Sequence, residues 1–291
     1  MNILIVGASG LIGGNCYHLL KGTHQVYGTH LSFETNYTFK LNPSSSGDIR
    51  LLDKLNLNII IHTGALTHVD RCETEPELSY KFTVQSTINL VDYAKAKDIT
   101  FLYTSTDYVF DGLDGPYKET DQVNPLSVYG KHKLLAEEYI QKNLSKYFIA
   151  RITNVYGDEL RNKNYVSRTV QALKNGQVLV LEAPYDQFAT PVNALDVARV
   201  FDLAISNNLR GVYHLGSTDF VSRVQLLTII KRYFPDNLFV RGISTKELNQ
   251  TAKRPLIGGL LSSKLIKEFP EFEFSNLDKY LISIKTTNLE H

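Results

Sequence analysis

The sequence predicts a doubly wound α/β fold, a parallel sheet covered by helices on both faces, with a smaller C-terminal substrate-binding lobe. Two observations carry the prediction. Short, continuous apolar runs alternate with helical stretches through the first half of the chain. The first run leads into a glycine-spaced turn, Gly7-x-x-Gly10-x-x-Gly13, which opens a helix.

Ile3-Leu-Ile-Val6 is apolar without interruption, as a strand buried on both faces requires. A helix is expected to follow to about residue 21. Further strands are expected at 25–29, 58–61, 100–104 and 148–152, with helices at 76–97 and 128–143. Strands that alternate with helices imply crossover connections, and the loops at one end of such a sheet carry ligands. After residue 157 the alternation weakens. Helices are expected at 165–175, 193–207 and 222–233, and a strand at 178–181. The stretch 234–255 reads as irregular and holds Lys246, Lys253 and Arg254. Residues 1–157 are therefore assigned to a Rossmann-like NAD(P)-binding domain. Residues 158–288 are assigned to a substrate lobe interleaved with the last sheet strands. Leu289-Glu290-His291 reads as the remnant of an affinity tag.

Bulk composition narrows the function classes. The 291 residues carry 31 basic and 30 acidic side chains, a net charge of +1. That balance offers no field to gather nucleic acid or an anionic membrane, so neither is expected as a partner. The two cysteines, Cys16 and Cys72, form no disulfide framework and no metal-ligand spacing, so free thiols and no metal are expected. The N-terminal apolar run lacks a basic flank and breaks at Gly7, which makes it a strand and not a secretion signal. No apolar run approaches the ~18 residues of a transmembrane helix. A cytoplasmic location is the expectation.

In the glycine turn, Gly7 lets the chain reverse sharply. Gly10 removes a Cβ where a pyrophosphate approaches the backbone, and Gly13 lets helix and strand pack closely. The helix N-terminus adds unpaired N–H groups for phosphate. The spacing is one residue longer than the G-x-G-x-x-G fingerprint, and a structural turn that binds nothing is the bland alternative. The second strand ends Tyr27-Gly-Thr-His30-Leu-Ser32, with no acid until Glu34. An acid there would bind the ribose 2′-hydroxyl of NAD. Its absence favours NADPH, with NADH the alternative, and His30 and Ser32 as phosphate donors.

Tyr129 and Lys133 are four residues apart, on one face of a helix. A free phenol ionises near pH 10, so a neighbouring ammonium is expected to draw it down. Bringing it to neutrality takes roughly 4 kcal/mol of differential stabilisation. Tyr129 is then the general acid for a carbonyl oxygen, and Lys133 also holds the nicotinamide ribose. Tyr103-Thr-Ser-Thr106-Asp-Tyr-Val-Phe110 supplies a third member, Thr106, whose hydroxyl can steady charge on the same oxygen. Asp107 lies within reach of substrate hydroxyls, or caps a turn.

Together these segments resemble the extended short-chain dehydrogenase/reductase superfamily, and within it the dTDP-4-dehydrorhamnose reductase family. The specific match is Ser105-Thr-Asp-Tyr-Val-Phe-Asp-Gly112, Pro116-Tyr-Lys-Glu-Thr-Asp121 and Pro125-Leu-Ser-Val-Tyr-Gly-Lys-His-Lys-Leu-Leu-Ala-Glu137. Supporting matches include Val69-Asp-Arg-Cys-Glu73, Asp186-Gln-Phe-Ala-Thr-Pro191 and Lys253-Arg-Pro255. The resemblance implies NAD(P)H-dependent reduction of the C4 ketone of a nucleotide-activated 6-deoxy sugar, for cell-surface polysaccharide. It implies catalytic roles for Thr106, Tyr129 and Lys133. It implies cofactor contacts at Gly10, Leu11, Ile12, Gly64, Ala65, Leu66 and Thr104. Asn154 and Arg254 are the expected sugar and diphosphate contacts, beside Asp107, with Lys253 a second cation. A homodimer is the assembly considered.

The chain departs from the family pattern at several points. Gln85 stands for the usual Asn, Asn154 for a frequent Trp, Ala189 for a Gly and Asn42 for an acid, and Thr190-Pro191 reverses the usual order. A nucleotide-sugar epimerase and a non-catalytic cofactor-binding regulator are the alternatives. The latter resembles the regulatory subunit of methionine adenosyltransferase.

Overall fold

In the structure, a computed structural model that describes residues 1–286, the first half of the chain winds strand by strand into one sheet. The tag remnant expected at 289–291 lies outside the described residues. In order, the elements are β1 (Asn2–Val6), α1 (Leu11–Leu20), β2 (Gln25–His30), β3 (Thr38–Lys40), α2 (Ser46–Arg50) and β4 (Ile59–His62). Next come α3 (Val69–Thr74), α4 (Pro76–Ser79), α5 (Ser86–Ala96), β5 (Thr100–Thr106), α6 (Val128–Asn143) and β6 (Tyr147–Ile152). The remainder is α7 (Tyr165–Lys174), β7 (Leu179–Pro184), β8 (Phe188–Ala189), α8 (Ala194–Ser206), β9 (Gly211–Leu215), β10 (Val221–Ser222), α9 (Arg223–Tyr233), β11 (Leu238–Ile243), α10 (Ser263–Glu268) and α11 (Leu277–Thr286).

Seven strands pair in the order β3-β2-β1-β4-β5-β6-β9, all parallel. This is the Rossmann-like, doubly wound sheet that the alternation predicts. Period-two alternation divides β1 between two cores. Ile3 and Ile5 pack with Cys16 and Leu20 of α1 and Phe201 of α8. Leu4 and Val6 pack with Leu90 and Val91 of α5 and Ala136 and Ile140 of α6. A third cluster joins Val170 of α7, Leu227 of α9, Leu238 of β11 and Leu281 of α11. Cys16 and Cys72 are buried and free. No helix among the described residues is long and apolar enough to cross a membrane.

Three expectations are corrected. The stretch 234–255 is not irregular throughout: β11 runs parallel to β7, from Leu238 opposite Leu179 to Ile243 opposite Pro184. Only Leu238 and Ile243 of that strand are buried, so the sequence shows no continuous apolar run. β3 also escapes the sequence reading, because three residues at a sheet edge leave no periodic signal. The helix expected over 76–97 is interrupted by a turn of π geometry at Tyr80–Gln85.

One ion pair inside the sheet ties α6 in place. Arg151 of β6 meets Glu137 of α6 in a forked contact, with Nε–Oε1 at 3.1 Å and Nη2–Oε2 at 2.7 Å. The Glu137 side chain is fully buried. Arg151 Nη1 also reaches Nε2 of His214 on β9 at 3.4 Å, and burial holds that imidazole down to about 3. Removing one partner strands the other charge in the core. Glu137→Ala is therefore expected to lose about 3–5 kcal/mol of unfolding free energy in a denaturant titration. An unchanged midpoint would show that the pair does not hold α6.

Candidate active site

The sheet reverses its winding between β1 and β4, and ligand clefts open at such a point. Here a cleft of about 1240 Å³ runs over the C-terminal strand ends, larger than the ~300–1,000 Å³ of a small-molecule pocket. Gly7, Gly10, Leu11, Ile12 and Gly13 line one stretch, and Gly64, Ala65 and Leu66, after β4, line the next. Gly7 has φ +88°, the left-handed region that favours glycine. A Cβ at Gly13 would lie 2.4 Å from the Gly7 carbonyl oxygen. Gly10 caps α1 with no side chain, and no acid occupies the first turn. The first N–H groups of α1 thus meet the cleft without competition, which fits a bound pyrophosphate.

The opposite wall carries the hydroxyl groups. Thr106 ends β5, and Tyr129 stands in the first turn of α6. Two features bring them together. Ser127 caps α6 by accepting the Gly130 N–H at 3.2 Å, and Glu73 accepts the Val128 N–H at 3.0 Å. Gly130 lets the backbone of Tyr108 approach: a Cβ there would lie 2.2 Å from the Tyr108 carbonyl oxygen. The Thr106 hydroxyl lies near the Tyr129 phenol and favours its ionised form. Thr106 Oγ1 accepts the Tyr108 N–H at 3.2 Å and donates to Asp107 Oδ1 at 3.3 Å. Asp107 Oδ2 accepts from Thr153 at 2.8 Å, and burial pushes this carboxyl above its usual range.

The electrostatics differ from the sequence expectation. Burial pushes the Tyr129 phenol up, and the nearby Thr106 hydroxyl only partly opposes it. The Lys133 amine is turned elsewhere, donating to the Thr104 carbonyl at 2.5 Å beneath the Tyr103 ring, 4.1 Å from its centroid. Burial brings that amine down to about 7, with Glu137 pulling the other way. Lys133 and Thr104 are both buried behind the cleft wall, and the Thr104 hydroxyl donates to the His62 carbonyl at 3.3 Å.

His30 is corrected. It is buried, its Nδ1 is bonded to Thr38 Oγ1 of the neighbouring strand β3 at 2.9 Å, and it does not line the cleft. Ser32 and Leu31 line the cleft instead. Arg254 lines the cleft but is held in a fork by Asp70, at 2.8 and 3.0 Å. Lys253 is exposed. Asn154 lines the cleft in a left-handed conformation, φ +40°, with Oδ1 accepting from Arg223 Nη2 at 2.8 Å. Gln85 donates to Asn89 at 2.8 Å, and Asn89 in turn reaches the Pro43 carbonyl at 3.0 Å. Asn42 accepts from Ser44 at 2.8 Å and organises the turn that carries Pro43 to the cleft.

Sequence reasoning missed Arg161, Tyr165, Arg168, Gln187 and Arg223, all on the cleft wall. Arg223 opens α9 behind a capping box of Ser222 and Gln225, a readable signal for a helix start but not for where its first side chain points.

A family model described as "RmlD substrate binding domain" matches residues 1–277. The dTDP-4-dehydrorhamnose reductase of Salmonella typhimurium is 31% identical over 221 residues, 74% of this chain and 72% of the relative. A crystal structure of a dTDP-4-dehydrorhamnose reductase from Clostridium acetobutylicum superposes with TM-score 0.87 at 29% identity, covering 98% of this chain and 100% of that one. A dTDP-4-dehydrorhamnose reductase from Bacillus anthracis, solved in complex with NADP, gives TM-score 0.85 at 24% identity, with 97% and 99% covered.

The buried amine of Lys133 makes a signed prediction. Its folded value of about 7 lies below the ordinary 10.5, so the unfolded chain binds the extra proton between those limits. The stability of the wild type relative to Lys133→Met should therefore rise as pH increases from about 7 to about 10. Urea titrations across that range measure it, and a flat or falling difference would contradict the buried, neutralised amine.

Proposed function

The chain belongs to the RmlD substrate binding domain family, and from that premise we propose that it reduces the C4 ketone of a nucleotide-activated 6-deoxy sugar with NADPH, as an oxidoreductase of the dTDP-4-dehydrorhamnose reductase kind. NADH is the alternative donor. The observation that carries the reading is that Thr106 and Tyr129 line one wall of the cleft while the glycine turn and the start of α1, whose first turn holds no acid, line the other. The product would serve cell-surface polysaccharide.

In this proposal the first turn of α1 and the Gly64–Leu66 loop hold the dinucleotide. The reduced nicotinamide, when bound, supplies the hydride. Tyr129 gives its hydroxyl proton to the sugar oxygen as charge grows there. Thr106, held by Asp107 and the Tyr108 N–H, steadies the same oxygen. Lys133 acts as a positioning residue through the Thr104 carbonyl, at the end of the strand that carries Thr106.

Residues 1–157 are proposed to serve the cofactor and 158–288 the sugar nucleotide. Arg254 is already balanced by Asp70. Arg223 and Arg168, with no ion pair among the described residues, are the better candidates for the diphosphate. Asn154 and Arg223 together shape the sugar end.

A panel of nucleotide 4-ketosugars, with NADPH oxidation followed by absorbance, tests the activity. Tyr129→Phe is expected to lower turnover by at least ~100-fold while NADPH binding persists. Retained turnover would remove Tyr129 from the reaction, and an inert panel would remove the substrate class.

A further inference from the structure

Past the glycine turn the cleft continues along Thr29, Leu31 and Ser32, at the C-terminal end of β2. In a dinucleotide fold this strand end faces the adenosine ribose. The strand end itself offers no acid, and Glu34 is exposed and outside the cleft wall. What reaches this place comes from the far side of the cleft. Arg161, in the loop between β6 and α7, lays its guanidinium 5.5 Å from the centroid of the Phe33 ring. Its Nε is buried without a hydrogen-bond partner, and no ion pair among the described residues holds it.

The loop is anchored on both sides of Arg161. Asn15 of α1 donates to the Asp158 carbonyl at 3.1 Å, and the Tyr280 hydroxyl donates to the Asp158 carboxylate at 3.0 Å. Asn164 donates to the Val155 carbonyl at 2.6 Å and caps α7 through Val166 and Ser167. Glu159, which lines the same stretch, is engaged by the Asn164 N–H. The guanidinium is thus held near the acid-free end of β2 with its donors uncommitted.

We propose that Arg161 reads the 2′-phosphate of NADPH, with Ser32 as a hydroxyl donor and the Phe33 ring as the platform under the guanidinium. The proposal rests on the NADPH reading above and names the residue that enforces it. A planar fork matches phosphate oxygens two at a time, and a guanidinium resting on a ring loses little freedom when it binds. The base that discriminates between the cofactors thus enters from the C-terminal half of the chain, and His30, tied to Thr38, takes no part.

The test is equilibrium binding of NADPH, NADH and 2′,5′-ADP, without sugar substrate, to the wild type, Arg161→Gln and Arg161→Lys. Unfolding midpoints serve as the folding control, since Arg161 lies in a partly exposed loop. Arg161→Gln should weaken NADPH and 2′,5′-ADP roughly ten- to hundredfold, the loss of a charge-assisted hydrogen bond, and leave NADH unchanged. Arg161→Lys should recover part of the loss. Undiminished NADPH binding in Arg161→Gln, or equal losses for NADPH and NADH, would overturn the assignment while the wild-type preference stood. A wild type that holds NADH as tightly as NADPH would sink the cofactor reading, and this proposal with it.

Discussion

Most of the site depends on how α6 is seated. That helix buries an amine and a carboxylate one turn apart on the same face, Lys133 and Glu137. Polar groups are costly to bury without partners, a charged carboxylate most of all. Each has a dedicated partner on a different strand: the Thr104 carbonyl of β5 for the amine, and the Arg151 fork of β6 for the carboxylate. Two polar anchors separated along one helix define its rotation and its height above the sheet. Tyr129, one turn before Lys133, inherits that position, and Gly130 lets the helix start close enough to the end of β5 for the phenol to meet Thr106.

The same burial acts on the titratable groups beside the cleft. Desolvation pushes the Tyr129 phenol up, and it also pushes up the Asp107 carboxyl behind Thr106. The polar chain Thr106–Asp107–Thr153 is continuous and lies at the end of β5 and β6. Its direction follows from geometry: Asp107 accepts from both threonines, and Thr106 also accepts the Tyr108 N–H.

Charge across the cleft is distributed unevenly. The glycine turn contributes helix N–H groups and no side-chain charge. The cations come from the C-terminal half, on the loop before α7, on α7 itself, at the start of α9 and after β11. Of these, Arg254 is spent on Asp70, whereas Arg161 and Arg223 rest over aromatic rings, Phe33 and Tyr165. Arg223 spends one donor on Asn154, and the ring beneath each guanidinium leaves its remaining N–H groups available to phosphate oxygens.

The sequence by itself determined the parallel sheet, the glycine turn and the residue types of the acid pair. Those features are local: unbroken apolar runs, a spacing of three glycines, and a Tyr and Lys four apart on one helix. β3 and β11 were not legible, because a short edge strand and a mostly exposed one carry no continuous apolar signal. Only the tertiary structure decided which way the side chains face. His30 ends the acid-free strand that suggested it but turns to Thr38, on the strand that pairs beside it. The Lys133 amine faces a carbonyl that belongs to a strand 29 residues earlier. Arg161 meets Phe33 across more than a hundred residues of chain. Spacing along a sequence encodes which groups share an element, whereas the partner of a buried charge is chosen by whichever element packs against it, and that choice exists only once the chain is folded.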